Sequence, residues 1–266
     1  MKNLHGRTAV IIGSALGIGR GTALALAKCG VNLVLADIDE NGARQVAVAA
    51  QALGVEAMPI RCDVGSTESM QTLHDAATAR FGAIDIVMNN VGVLVCGHPE
   101  DIPLAEWERI LNTNLMSVVR GMQLFMPAMI ARKSGHIVNT ASFAGLFPYA
   151  YDRLPYAASK AAIVAISEGL ALYLKPQGVG VTCLCPGPVR TSIGASMKSY
   201  TPGVGLRGPG KQFDMLEPDA VGDMVVRAIE EDTFLLPTHP QVLELLQARA
   251  AGFDAFLDRQ IRGLDT

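Results

Sequence analysis

The chain has 266 residues, 50% of them hydrophobic and 18% charged, with 22 Lys and Arg against 25 Asp and Glu. A chain this apolar and this nearly neutral has ample surface to bury, which excludes intrinsic disorder. Its formal charge of −3 gives no basic excess for holding nucleic acid or an anionic membrane, and Gly, Pro or charge is expected to interrupt every apolar stretch short of the ~18–20 residues of a membrane span.

Short apolar runs alternate with helix-length segments. Residues 8–12 lead through a glycine-rich turn into an apolar-faced segment over 20–29, and residues 31–36 precede a polar-faced helix over 41–53. Further runs fall at 55–60, 84–88, 136–140 and 180–184, separated by helices over 67–80, 104–132 and 155–175. Runs that do not alternate, joined by helices, predict a parallel sheet covered on both faces. Residues 192–216 break the pattern, with Gly203, Gly205, Gly208, Gly210, Pro202 and Pro209 in a stretch without a period. That stretch reads as a flexible substrate lid. Beyond it come a helix over 218–231 with Pro at its start, a short strand over 233–236 and an amphipathic helix over 240–262. With no linker or internal repeat, the seven strands predict a single doubly wound α/β domain of Rossmann type over residues 1–266. The 218–266 helix–strand–helix belongs to it.

Five scattered cysteines, Cys29, Cys62, Cys96, Cys183 and Cys185, read as buried thiols of a reducing compartment, so the expected location is cytoplasmic. Lys2 and Arg7 precede an apolar stretch, but Gly13, Gly17, Gly19 and Arg20 interrupt it without a cleavage pattern, and no signal peptide is expected. Cys183 and Cys185 face one side of a strand, yet two thiols are too few for a metal, and none is expected. His136 reads as structural or exposed. Trp107 and the methionines of 116–129 read as packing or interface residues, and Lys198, Arg207 and Lys211 as solvated loop charges.

The first strand runs into Gly13-Ser14-Ala15-Leu16-Gly17-Ile18-Gly19. A turn of this kind opening a helix presents backbone N–H groups to a pyrophosphate. Asp37 closes the second strand about twenty residues beyond Gly17, where a ribose hydroxyl needs an acceptor. A carboxylate there repels a 2′-phosphate, and its neighbours Ala36 and Ile38 are uncharged, so NAD is favoured over NADP. Asp39 falls past the strand and reads as the start of the next helix.

The Gly-x-x-x-Gly-x-Gly spacing is followed by Asn89-Asn90-Val91-Gly92, Ser142, Tyr156-Ala157-Ala158-Ser159-Lys160 and Pro186-Gly187. Together these resemble the short-chain dehydrogenase/reductase family, closely over residues 6 to about 192 and loosely beyond. Tyr156 and Lys160 lie four apart on one helical face. A nearby ammonium favours the phenolate, which can take a proton from an alcohol as hydride leaves its carbon, while Ser142 steadies the charge on that oxygen. The resemblance implies that Asn114 completes the catalytic set, with Asn112 the alternative. It also implies that Asp63 meets the adenine amino group and Thr191 the carboxamide, and that Lys160 bonds the nicotinamide ribose. Ser14, Ile18, Val64, Asn90, Gly92, Pro186, Gly187 and Val189 join them from the same motifs. Ile12 and Ala141 stand where the family commonly has Thr and Ser, and the 142–156 interval is about one residue long. The C-terminal third lacks the Asp-Gly-Gly tail of tetrameric members and is similar to subgroups acting on bulky hydrophobic alcohols.

The expected pocket is walled by Leu94, Val95, Phe143, Phe147, Tyr149, Val189 and the 192–216 lid, and suits a hydrophobic, cyclic or aromatic secondary alcohol or ketone. The apolar helices over 104–132 and 155–175 point to a homodimer or homotetramer. The competing function is a non-catalytic NAD-binding regulator or scaffold on the same fold. A hydrolase is excluded, since no G-x-S-x-G elbow occurs.

Overall fold

The computed structural model describes residues 1–194 and 197–265. β1 (Thr8–Ile12), β2 (Asn32–Asp37), β3 (Ala57–Arg61) and β4 (Ile86–Asn89) alternate with α1 (Gly17–Lys28), α2 (Glu40–Gln51) and α3 (Thr67–Phe81). The short β5 (Val95–Cys96) precedes α4 (Leu104–Ile110), α5 (Met116–Arg132), β6 (Gly135–Thr140), α6 (Phe143–Leu146), α7 (Leu154–Leu174) and β7 (Val179–Cys185). The two-residue β8 (Lys198–Ser199), α8 (Pro218–Glu231), β9 (Leu235–Pro237), α9 (Val242–Ala251) and α10 (Phe253–Arg262) complete the order. Seven strands form one parallel sheet in the order β3-β2-β1-β4-β6-β7-β9, as the alternation of runs and helices predicts.

The pleat explains why these strands show no polar–apolar alternation, because each sends apolar side chains to two cores. Ala9, Ile11, Leu33 and Leu35 pack with residues of α1, α2 and α8 on one face. Val10, Ile12, Val34 and Ala36 pack with residues of α3, α5 and α7 on the other. Asp39 caps α2 by accepting from the Gly42 N–H at 3.1 Å, as read from sequence. The strand order reverses between β1 and β4, and a ligand crevice belongs at the carboxyl ends of the strands beside such a switch.

Three helical expectations are corrected. The segment over 104–132 is not one regular helix, since residues Leu111–Leu115 widen into a π-turn between α4 and α5. The segment over 240–262 is two helices, interrupted where Gly252 adopts extended backbone, φ −174° and ψ 96°; glycine is a poor residue to carry a helix through. Residues Leu154–Gln177 do meet the length and composition of a membrane span, with mean hydropathy 1.4. The sheet accounts for part of that apolar character: Tyr156, Lys160, Ile163, Leu170 and Leu174 are buried, while Leu172 and Tyr173 point outward.

His136 is structural. Its ring is buried on β6, and Nε2 lies 2.8 Å from the Thr182 hydroxyl. Burial pushes its pKa down from 6.5 to about 4. Between those values the unfolded chain takes up a proton that the folded protein refuses. The stability contributed is therefore fully present above pH 6.5 and is lost as pH falls toward 4, a change of about 3 kcal/mol. Denaturant unfolding at a series of pH values should show this slope, and His136→Gln should flatten it. An unaltered slope in the variant would assign the acid sensitivity elsewhere.

Candidate active site

The turn after β1 is shaped by its glycines. Gly13 and Gly17 hold φ of 90° and 55°, a region other residues avoid, and a Cβ on Gly19 would run into the Gly13 carbonyl oxygen. α1 starts at Gly17 with no side-chain cap and no acidic residue in its first turn. Its N–H groups therefore face the crevice with their positive end unmatched, which fits an anionic pyrophosphate. Ser14 lies beneath the turn, buried, with its hydroxyl on the Ala36 carbonyl at 3.3 Å. Asn90 ties the turn to the sheet: Nδ2 donates to the Gly13 carbonyl at 3.0 Å, and Oδ1 accepts from the Thr140 hydroxyl at 3.0 Å.

Asp37 stands at the end of β2, held by the Ala15 N–H on Oδ2 (2.9 Å) and the Asp39 N–H on Oδ1 (3.0 Å). Exposed Leu16 and Ile38 flank it. Sequence neighbours alone missed Arg61, which stands in register with Asp37 across β3. Arg61 does not line the crevice, and among the described residues it makes no ion pair with Asp37. Asp63 Oδ1 accepts from the Gly65 N–H at 2.9 Å, which shapes the turn that brings Asp63 and Val64 to the crevice wall. Pro186, Gly187, Val189 and Thr191 line the opposite wall, with Thr191 over Gly17.

Of the four residues expected to carry chemistry, Ser142, Tyr156 and Lys160 converge on the crevice, and Asn114 lies behind them. Ser142 lies two residues past β6 and caps α6, its Oγ accepting from the Ala144 N–H at 3.2 Å, and its hydroxyl stands near enough to the Tyr156 phenol to favour the phenolate. Lys160 follows one turn along α7, buried, with Nζ donating to the Thr140 carbonyl at 2.7 Å. Nζ lies 5.6 Å from the Tyr156 ring centre. Burial pushes the Lys160 ammonium down to about 8. Burial also pushes the Tyr156 phenol up, opposed by the Ser142 hydrogen bond and the Arg153 charge. Arg153 is thus a second cation near the phenol, additional to Lys160.

Asn114 sits in the π-turn, off the crevice and fully buried. Oδ1 accepts from the Val93 N–H at 2.8 Å, and Nδ2 donates to the Val93 carbonyl (2.9 Å) and the Ser159 hydroxyl (3.1 Å). Wide turns of this kind recur at functional sites. Asn112, the alternative, is committed elsewhere: its side chain bonds Gly65 and Arg120.

Ser142, Tyr156 and Lys160 border one crevice of about 720 Å³, which runs from Asp37 past Gly17, Ile18 and Gly92 to Tyr156. Leu94, Tyr149 and Val189 line it as expected. Val95, Phe143 and Phe147 do not. Val95 packs with Ile102 and Ile110, while Phe143 and Phe147 turn into a core with Phe213 and Phe256. The α6 turn that leaves the Ser142 hydroxyl at the crevice points the next side chain inward. Ile193, Leu206 and Met215 line it from the 192–216 segment expected there, and three residues not foreseen complete the wall: Arg109, Thr113 and Arg153. Arg153 left a sequence signal, an acid–base pair at 152–153 inside an otherwise apolar approach to Tyr156.

The described part of 192–216 is fastened to the body. β8 pairs with β5, Tyr200 donates to Glu106 at 2.6 Å, and Thr201 donates to Asp101 at 2.6 Å. The Arg207 N–H donates to Asp152 at 2.8 Å, and Val189 bridges to Leu216.

The sequence matches the short chain dehydrogenase family over residues 7–201. It is 35% identical over 245 residues to the probable oxidoreductase EphD of Mycobacterium tuberculosis, covering 88% of this chain and 41% of that protein. The chain thus spans less than half the length of that relative. It is 32% identical over 190 residues to the cyclohexanol dehydrogenase of an Acinetobacter species, covering 71% of this chain and 75% of that one. A crystal structure of a short chain dehydrogenase/reductase from Burkholderia phymatum in complex with NAD superposes with TM-score 0.84. The two are 31% identical, with 96% of each chain covered.

Proposed function

The chain belongs to the short-chain dehydrogenase/reductase family, and on that premise we propose that it transfers hydride between NAD(H) and a hydrophobic, cyclic or aromatic secondary alcohol or ketone. The observation that carries this reading is the convergence of Ser142, Tyr156 and Lys160 at one end of a crevice whose other end is an uncapped helix N-terminus facing a ribose-binding carboxylate. Bound NAD supplies the hydride acceptor. Gly13, Gly17, Ile18 and Gly19 hold its pyrophosphate, Asp37 its adenosine ribose, and Asp63 and Val64 its adenine. Asn90 and Gly92 support the same side, while Pro186, Gly187, Val189 and Thr191 hold the nicotinamide end. Ser142 orients the substrate oxygen, and Tyr156 takes or returns its proton. Lys160 holds the nicotinamide ribose and keeps the proton path polar, and Asn114 positions the Ser159–Lys160 turn.

The substrate class rests on the apolar wall of Leu94, Val189, Ile193, Leu206 and Met215 and on the likeness to a cyclohexanol dehydrogenase. Residues 192–216 act as its lid. Incubating the protein with NAD and a panel of cyclic, aromatic and small charged hydroxy compounds tests the reading: reduced nicotinamide should accumulate with the hydrophobic alcohols. Preference for small charged hydroxy acids would overturn the substrate class. NAD binding without turnover of any alcohol would favour the regulator or scaffold instead. The outward Leu172 and Tyr173 of α7 and Met116 of α5 support a homodimer or homotetramer, and five free cysteines support a reducing, cytoplasmic location.

Cofactor choice has its own test. Asp37→Ala removes a carboxylate acceptor, and a hydrogen bond to a charged group contributes roughly 1.5–3 kcal/mol. NAD affinity should fall on the order of tenfold to hundredfold by calorimetry, with NADP affinity unchanged or improved. Equal losses for both cofactors would deny Asp37 its discriminating role.

A further inference from the structure

The crevice holds one feature that neither the apolar wall nor the proton-handling residues explain. Arg153 lines it beside Tyr149, one turn ahead of Tyr156, and its side chain is only 9% exposed. Its Nε and Nη2 bind both oxygens of Asp152, and Nη2 also donates to the Arg207 carbonyl. Asp152 in turn accepts from the Arg207 N–H at 2.8 Å, and its own carbonyl accepts from the Gly97 N–H at 2.9 Å. A buried ion pair of this kind contributes little over a well-packed apolar pair, because desolvation offsets the attraction. Holding the lid at Arg207 uses Nε and Nη2 only. Nη1 makes no hydrogen bond among the described residues. The Tyr149 hydroxyl makes none either, although its ring lies against the guanidinium at 5.6 Å and the residue faces the crevice. Two residues lining the crevice beside its apolar wall thus each keep a donor without a protein acceptor, Nη1 of Arg153 and the hydroxyl of Tyr149, and Asp152 already balances the charge of Arg153.

Resting on the dehydrogenase reading above, we propose that Tyr149 and Arg153 form a second polar subsite that binds a neutral oxygen acceptor, a carbonyl or ether oxygen carried by the substrate near its reacting carbinol. The substrate is then an oxygenated cyclic or aromatic alcohol, not a bare hydrocarbon alcohol. Asp152 and the Arg207 backbone hold the fork in place, so the subsite is pre-organised before substrate arrives. A donor pair left without a partner when the oxygen is missing gives discrimination that apolar contact cannot supply.

The experiment compares kcat/KM for two secondary alcohols of one ring skeleton, one bearing a ketone or methoxy oxygen beside the carbinol and the other lacking it. The parent enzyme should favour the oxygenated alcohol by about tenfold or more. Tyr149→Phe removes a hydroxyl that bonds nothing in the folded protein, and Arg153→Lys keeps the charge beside Asp152 while losing the fork. Each should narrow the preference at least threefold, mainly through KM on the oxygenated alcohol. Equal kcat/KM for the two alcohols in the parent, or a preference that neither variant narrows, overturns the subsite and leaves the dehydrogenase reading standing. If neither alcohol is oxidised, that reading falls and the subsite with it.

Discussion

Tyr156→Phe should lower kcat roughly 10²–10⁴-fold, the range that a positioned proton donor or acceptor contributes. The substitution keeps the ring, which is buried on α7, and deletes only the hydroxyl that meets Ser142. The stability cost should therefore stay near the roughly 0.5–1.5 kcal/mol of one hydrogen bond, and NAD should still raise the melting temperature. The parent's rate of alcohol oxidation should climb with pH as the phenol loses its proton, whereas the residual rate of the variant should not follow that curve. A kcat within tenfold of the parent would remove Tyr156 from the reaction and reopen the regulator or scaffold reading.

Phe143→Ala should destabilise the fold by about 3–5 kcal/mol, the cost of emptying a large aromatic site in a packed core. Phe143 is fully buried, with ring centres 5.1 Å from Phe213, 6.0 Å from Phe147 and 5.9 Å from His239. Its edge also fills the space over Gly187. The consequence reaches the chemistry, since Phe143 follows Ser142 and its N–H donates to the Pro186 carbonyl at 2.9 Å. Turnover of the folded fraction should fall as Ser142 loses its brace, and Phe143→Leu should recover most of the stability. A midpoint shift worth less than about 1 kcal/mol in Phe143→Ala would show that the cluster collapses around the gap.

That Phe143 serves the core and not the pocket shows where sequence reading stopped. The strands were legible because burial on both faces writes an uninterrupted apolar run, and the glycine turn because close backbone contact demands glycine at Gly13, Gly17 and Gly19. Ser142, Tyr156 and Lys160 were legible because their spacing places one functional group after another along α6 and α7. The direction of Phe143 and Phe147 was not, since the α6 turn, and not distance along the chain from Ser142, sets it. The π-turn at Leu111–Leu115 depends on Asn114 bonding both backbone groups of Val93, a contact no local propensity encodes. Arg61 beside Asp37, and the Arg207 backbone beside Arg153, were invisible for the same reason. Register across a sheet and the folding back of a loop bring charges together that the linear order keeps apart.

The fastening of the 192–216 segment has a consequence for how this pocket can change. Thr201 and Arg207 are both tied to the body, through Asp101 and His98 on one side and Asp152 and Arg153 on the other. Residues 202–206 run between these two posts, touching the body only lightly where the Val204 carbonyl accepts from Cys96 Sγ at 3.5 Å, and end on Leu206, which lines the crevice. Such a span is a cassette. Its composition is open to replacement without disturbing either post, and each doubling of its length adds only about 0.6 kcal/mol of closure entropy. Lineages or libraries that vary this stretch can therefore remodel the pocket wall while the sheet, the posts and the proton-handling residues stay as they are.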